Sequence, residues 1–357
     1  MQRTSDHLLL KAIRKESIDR TPLWIMRQAG RYLPEYIDLK NKAGGFMNLV
    51  NNPDLACQIT LQPLERFSLD SAIIFSDILV VADMLGIKLS FEENKGPIFD
   101  KTIKSEKNLS EMKRDYDISE VRYVFDAIEQ TKKELGGRVP LIGFIGSPWT
   151  VTTYLIEGNS SKVFTNVKKM ISEERMLVNE ILTEITEVSI RYINQQIKSG
   201  VDAVMIFDTW GGLLQENDFY ELSVRYTKEI KNSLIDLNIP VIYYIREPKN
   251  KIITLNKMNV DVIGIDSTIG LGEFRKATNN RFAVQGNLDK DILKLSDQEI
   301  HKAVEQLFRE YDYETGHIFN LGSGITPDIE PSKVGVLIDA VREISPKFNR
   351  KVRNAEV

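Results

Sequence analysis

Two arginines four residues apart, Arg27 and Arg31, follow the short apolar run Leu23 to Met26, with Gly30 between them. If the loop takes a helical turn, both guanidiniums lie on one face. Cations that close repel unless an anion lies between them, and their planar forks suit a carboxylate or a phosphate. Structural ion pairs with the chain's many acids are the other reading. Asp77 ends a second apolar run, Ala72 to Phe75 plus Ser76. A carboxylate at such a strand end is partly desolvated, so its pKa shifts or donors and cations hold it charged; it is equally placed to cap a helix starting near Ile78. Tyr154 falls just inside a helix after Gly146-Ser147-Pro148-Trp149, where a half-buried core ring and a site hydroxyl both fit. Thr209 reads as an N-cap or a ligand hydroxyl, and Asp208 as a partner for an arginine of the first loop. Lys40, shortly after these arginines, reads as an ordinary solvated lysine or as a further cation near them, while His317 opens a strand and is structural.

These residues need elements to position them. Apolar runs rich in Val, Ile, Leu and Phe recur at Leu23–Met26, Ala72–Phe75, Leu141–Phe144, Ala203–Phe207, Val241–Ile245, Val262–Ile265, Phe282–Gln285 and His317–Leu321. Such continuity predicts strands covered on both faces. Helical patterns lie between them, at Pro53–Arg66, Ser119–Leu135, Asn166–Lys198, Asn217–Asp236, Asp297–Tyr311 and Ser332–Arg342. A helix capped by Ser5 is expected near the N-terminus. The alternation favours an α/β chain forming a (β/α)₈ TIM barrel, a single domain over residues 1–357, rather than an open doubly wound sheet. Every predicted strand ends in a polar or glycine cluster, and in a barrel these clusters converge on the C-terminal rim, where active sites sit. The polar stretch Phe91–Asp115 reads as a surface excursion, with a hairpin through Gly96-Pro97, and not as a domain linker.

Composition narrows the function classes. With 357 residues, 42% of them hydrophobic, the chain can bury a large core. A formal net charge of -4 argues against a general nucleic-acid or acidic-membrane binder. Cys57 is the only cysteine, which rules out an intrachain disulfide and a multi-thiolate zinc site, and the histidines His7, His301 and His317 are too scattered to suggest a metal centre. No apolar run approaches the roughly 20 residues of a membrane span. The first residues lack the core and cleavage site of a signal peptide. A soluble, cytoplasmic protein is expected.

The string Met26-Arg27-Gln28-Ala29-Gly30-Arg31-Tyr32-Leu33-Pro34-Glu35 closely resembles the M-R-Q-A-G-R-Y-L-P-E signature of the uroporphyrinogen decarboxylase family. The resemblance continues in order through Ile73–Leu79, Gly143–Gly158, Phe207–Gly212, Gln285–Asp289 and Gly316–Gly322. It implies a (β/α)₈ barrel, commonly a homodimer with facing clefts. The implied activity converts uroporphyrinogen III to coproporphyrinogen III by stepwise loss of four acetate carboxyls, without metal or organic cofactor. It further implies that Asp77 accepts pyrrole N–H groups, that Arg27 and Arg31 bind substrate carboxylates, with Arg27 a candidate for organising the proton, and that Tyr154 and Thr209 bind carboxylates or fix Asp77. Gln28, Ala29, Gly30 and Ser323 complete the implied substrate-binding set.

Two positions depart from the family pattern. Ser323 stands where the family usually has histidine, so it can donate a hydrogen bond but carries no positive charge near neutral pH. Ser267 replaces a customary tryptophan. Two other readings therefore stay open: a tetrapyrrole-binding relative without turnover, and a phosphate enzyme using Gly286-Asn287 and Gly322-Ser323-Gly324 as a backbone cradle. The related methyltransferases need zinc thiolates, which a single cysteine does not provide.

Overall fold

In the computed structural model, which describes residues 6–92, 96–161, 163–234, 237–311 and 315–355, the apolar runs lie side by side. The strands are β1 (Ala72–Ile73), β2 (Leu89–Glu92), β3 (Gly96–Phe99), β4 (Leu141–Gly146), β5 (Ala203–Asp208), β6 (Val241–Ile245), β7 (Val262–Ile265), β8 (Ala283–Leu288) and β9 (His317–Leu321). Seven form one sheet in the order β1-β4-β5-β6-β7-β8-β9, parallel throughout. Every residue of β4, β6, β7, β8 and β9 is buried, because helices cover the outer face while the inner face is packed with side chains.

The first apolar run closes the sheet. Leu23 bridges Phe319 in parallel, the Trp24 N–H donates to Phe319 O, and on the other flank the Asp70 N–H donates to Leu23 O. Beyond Trp24 the ladder stops, since side-chain amides take over: the Ile25 N–H donates to Gln28 Oε1 and the Met26 N–H to Asn320 Oδ1. An eight-staved α/β barrel results, its first stave shorter than the expected Leu23–Met26. β1 is also curtailed, because the Phe75 N–H leaves the ladder for Thr60 Oγ1.

Other expectations need adjusting. β8 extends through Gly286, Asn287 and Leu288, which the sequence places in a rim turn; Gly286, at φ 136°, lets the strand approach Ile265 O, only 2.7 Å from where a β-carbon would sit. The predicted helix Asn166–Lys198 is two, Thr165–Glu173 and Arg175–Ser199, broken at Glu174 with ψ 43°. The predicted Asn217–Asp236 is a composite of Glu216–Phe219, a π turn at Tyr220–Val224 and Arg225–Ser233; its expected end, Asp236, lies outside the described residues, as does the expected cap Ser5. The last helix starts at Pro331 and runs past Arg342 to Ala355.

The polar excursion does contain a hairpin, although pairing begins at Leu89, and Gly96 and Pro97 open its returning strand. The hairpin is tied to the helix Pro148–Glu157 by Phe99 N–H to Gly158 O and Ile103 N–H to Leu155 O.

Candidate active site

Asp77 lies where the chain leaves β1 for the 3₁₀ helix Val80–Leu85. Its Oδ1 accepts the Leu79 N–H at 2.9 Å and so closes the Ile78-Leu79 turn, but the helix itself starts only at Val80, with Leu79 before it and no side-chain cap, so Asp77 is not the helix cap that one reading expects. The loop is pressed onto the end of β4: the Gly146 N–H donates to Ile78 O, and a β-carbon on Gly146 would lie 3.0 Å from that oxygen. A β-carbon there would crowd the loop that carries Asp77. Burial pushes the Asp77 carboxyl up to about 6, while the Leu79 N–H and the Arg27 guanidinium pull it back.

Arg27 does not enter a helical turn. Its φ is 64°, and the helix begins only at Pro34, so the shared helical face expected for Arg27 and Arg31 is absent. Arg27 is exposed, forms no ion pair among the described residues, and acts electrostatically on Asp77, Tyr154 and Tyr244. Its stem lies over Gly324, whose β-carbon would be 2.5 Å from Arg27 Cδ. Ser323 therefore adjoins Arg27, and the Ile325 N–H donates to Met26 O to hold the two loops together. Arg31 is exposed too, and it acts on Tyr36, whereas Arg27 is the arginine that acts on Asp77. Gln28 is 1% exposed, and its side chain is engaged with Ile25 N–H and Ser71 O. Ala29 and Gly30 are half-buried beside it.

Tyr154 projects from the helix Pro148–Glu157, capped by Ser147 Oγ on the Thr150 N–H. Its ring lies 6.3 Å from that of Trp210. Burial raises its hydroxyl pKa; Trp210, Ser160 and Arg27 oppose that rise and Asp77 adds to it. Thr209 caps no helix, since Trp210 precedes the 3₁₀ turn Gly211–Leu213, and it stays half-buried at the end of β5.

Asp208 meets no arginine, contrary to expectation. It points away from the barrel axis and accepts from Ser147 Oγ (2.7 Å), Thr150 Oγ1 (3.0 Å), Ser223 Oγ (2.5 Å) and Tyr243 OH (2.5 Å). Strand alternation is the reason: Phe207 faces inward, so Asp208 faces the helices. Burial raises its pKa against those four donors. The cluster fixes both the start of the Tyr154 helix and the Thr209-Trp210 turn.

Alternation also explains what sequence reading overlooked. Tyr244 pairs in register with Phe207, their rings 5.8 Å apart, and Phe144 lies 5.6 Å from Phe207, giving an aromatic arc on the inner wall. Tyr244 OH donates to Gly322 O at 2.8 Å. Burial raises its pKa and Asp266 adds to this, while Arg246 and Arg27 act against it. Arg246, in a rim cluster at the end of β6, is half-buried with its guanidinium 5.7 Å from the Trp210 ring centre. Its position in that cluster was the available signal.

The glycine-rich rim offers a phosphate little. The Gly322 N–H donates to Leu288 O, and Asn287 Nδ2 donates to Asp266 O and Ile269 O. Ser267 is exposed and donates to Asp289 at 3.3 Å. His317 sits at the far end of β9, buried with Nε2 3.1 Å from Gly286 O, and burial lowers its pKa to about 4; it is structural.

Comparisons with known proteins agree with this geometry. The solved structures it resembles include a methyltransferase from Methanosarcina mazei (TM-score 0.74, 19% identity, 95% of this chain and 98% of that one). A B12-independent methionine synthase from Shewanella sp. W3-18-1 is more distant (TM-score 0.57, 12% identity, 94% and 96%). At such identities they support the barrel fold alone. Among sequence relatives, the uroporphyrinogen decarboxylase of Hydrogenovibrio crunogenus is 44% identical over 96% of this chain and 98% of its own length. That of Methylococcus capsulatus is 43% identical over 96% and 99%. The family model for uroporphyrinogen decarboxylase (URO-D) matches residues 4–344, and the chain belongs to that family.

Proposed function

We propose that the protein decarboxylates the four acetate side chains of uroporphyrinogen III to give coproporphyrinogen III in tetrapyrrole biosynthesis. The observation that carries this reading is a half-buried carboxylate, Asp77, desolvated enough to raise its pKa, on the barrel mouth beside Arg27, a guanidinium without an ion-pair partner among the described residues. Protonation of a pyrrole at its α-carbon makes the ring a cation. The C–C bond to the carboxylate then breaks, its electron pair neutralises the ring, and carbon dioxide leaves. A proton added at the exocyclic carbon and one lost from the ring leave a methyl-bearing pyrrole, for a net exchange of carbon dioxide for one proton. The substrate is its own electron sink, and the scheme calls for no metal or organic cofactor.

In this reading Asp77 accepts the pyrrole N–H groups and stabilises the cationic ring more than the neutral one, which is where catalysis must act. Arg27 and Arg31 hold side-chain carboxylates, with Arg27 close enough to Asp77 to organise the proton. Tyr154 acts beside Asp77; Thr209, Ser323 and the backbone of Gln28, Ala29 and Gly30 contact the substrate. One barrel domain spans residues 1–357, and it works in the cytoplasm as a homodimer. Cys57, a buried free thiol, suits a reducing compartment. Exposed Leu213, in the 3₁₀ turn after β5, and Ile253, in the short helix Ile252–Leu255 after β6, 49% and 75% accessible, support a partner surface near the mouth. No helix among the described residues is long and apolar enough to cross a membrane.

Anaerobic incubation with uroporphyrinogen III, followed by carbon dioxide release and chromatography of the oxidised products, tests the reading. Coproporphyrin should accumulate. Tight binding without carbon dioxide would instead favour a binding-only relative.

A further inference from the structure

The eight staves run in the order Leu23 segment, β1, β4, β5, β6, β7, β8, β9, so the first and the fifth face each other across the barrel. Arg27 follows the first and Arg246 the fifth. Arg27 and Arg246 thus follow staves on opposite sides of one mouth, and both act on Tyr244, which lies on the inner wall of the Arg246 stave.

Arg246 is built in rather than trailing into solvent. Gly212 packs against the Arg246 carbonyl so closely that a β-carbon would collide with it, and the next residue, Glu247, donates its N–H to Asp266 Oδ2 at 2.9 Å. The guanidinium rests over the Trp210 ring, and Trp210 is itself held by the Trp149 indole N–H on its carbonyl at 3.1 Å. A cation–π contact at this distance favours the charge near the ring and leaves the guanidinium N–H groups free to bind. Among the described residues Arg246 forms no ion pair, so it is a half-buried cation at the rim whose guanidinium is not held by a carboxylate.

We propose that Arg246 binds a peripheral carboxylate of the tetrapyrrole at the edge opposite the one held by Arg27, through a bidentate contact that positions the macrocycle over Asp77. This rests on the decarboxylase reading above. A flat polyanion gripped at one side only would pivot; two forks on opposite staves fix its orientation. Arg246 is a binding and positioning group, not a proton donor.

The test is steady-state kinetics with uroporphyrinogen III together with equilibrium binding of uroporphyrin, its stable oxidised form. Arg246→Gln should raise KM roughly ten- to a hundredfold with kcat little changed, and weaken uroporphyrin binding by a similar factor, as expected for loss of a charged hydrogen-bonded contact. In the Arg27→Lys, Arg246→Gln double variant the two losses in binding should multiply. An Arg246→Gln enzyme with wild-type KM and wild-type binding overturns the inference. If that variant does not fold, Arg246→Lys keeps the stem and charge over Trp210 but loses the fork, and a wild-type KM there overturns it equally. A wild-type protein that releases no carbon dioxide defeats the decarboxylase reading instead, while the binding comparison still decides the role of Arg246.

Discussion

Asp77→Asn should leave a protein that is more stable at neutral pH and catalytically dead. Burial raises the carboxyl from 3.8 to about 6 in the folded chain, a shift of about two units at about 1.4 kcal/mol each. Keeping Asp77 ionised therefore costs the fold up to about 3 kcal/mol, and solvent at the open mouth trims this to about 2 kcal/mol. The sign follows from linkage. Below the unfolded pKa both states are protonated and the cost is absent; as pH rises from about 4 to about 6 the unfolded state releases its proton first, and stability is lost; above about 6 the cost is constant. Asparagine fills the same volume and can still accept the Leu79 N–H. Urea denaturation of wild type and variant from pH 4 to 8 should show curves that nearly coincide at pH 4 and separate by about 2 kcal/mol, variant above, by pH 7. Turnover of uroporphyrinogen should be nearly abolished throughout. A variant less stable than wild type at pH 7, or a gap independent of pH, would refute the claim that Asp77 is held charged against its surroundings.

Arg27→Lys keeps the charge but loses the fork, and kcat/KM should fall by about tenfold or more; an unaltered value would make Arg27 structural. Gly324→Ala places a methyl where the Arg27 stem now lies, so KM should rise while the thermal midpoint barely moves. Both are measured on the same purified variant. Asn320→Leu removes the acceptor of the Met26 and Leu321 N–H groups at the barrel seam. It should cost about 1–3 kcal/mol for each donor left unsatisfied, read from denaturant midpoints.

Much of this was legible in the sequence, and what was missed has physical causes. β6, β7 and β9 coincide with their apolar runs because both faces are buried and side chains take backbone N–H groups only at strand ends, Val241 to Asp261 and Leu321 to Asn320. Leu23–Met26 looks like an equal strand, but Gln28 and Asn320, one local and one from β9, replace its later backbone partners, and no local pattern announces that. The spacing of Arg27 and Arg31 allows a helical turn, but Arg27 has a positive φ and the helix starts only at Pro34. Asp208 carries the right chemistry for an arginine partner, yet a one-residue step along β5 turns it from the mouth to the helices. Arg246 escaped because its value comes from lying across the barrel from Arg27, and that relation exists only once the sheet has closed.

The Leu89–Phe99 hairpin is bonded to Gly158 and its following chain to Leu155, on the helix that carries Tyr154. It thus offers an external handle on an internal hydroxyl. An antibody fragment or small molecule that pulled this flap outward would loosen the aromatic beside Asp77 without ever competing with substrate, so inhibition from that side would lower kcat and be indifferent to substrate concentration.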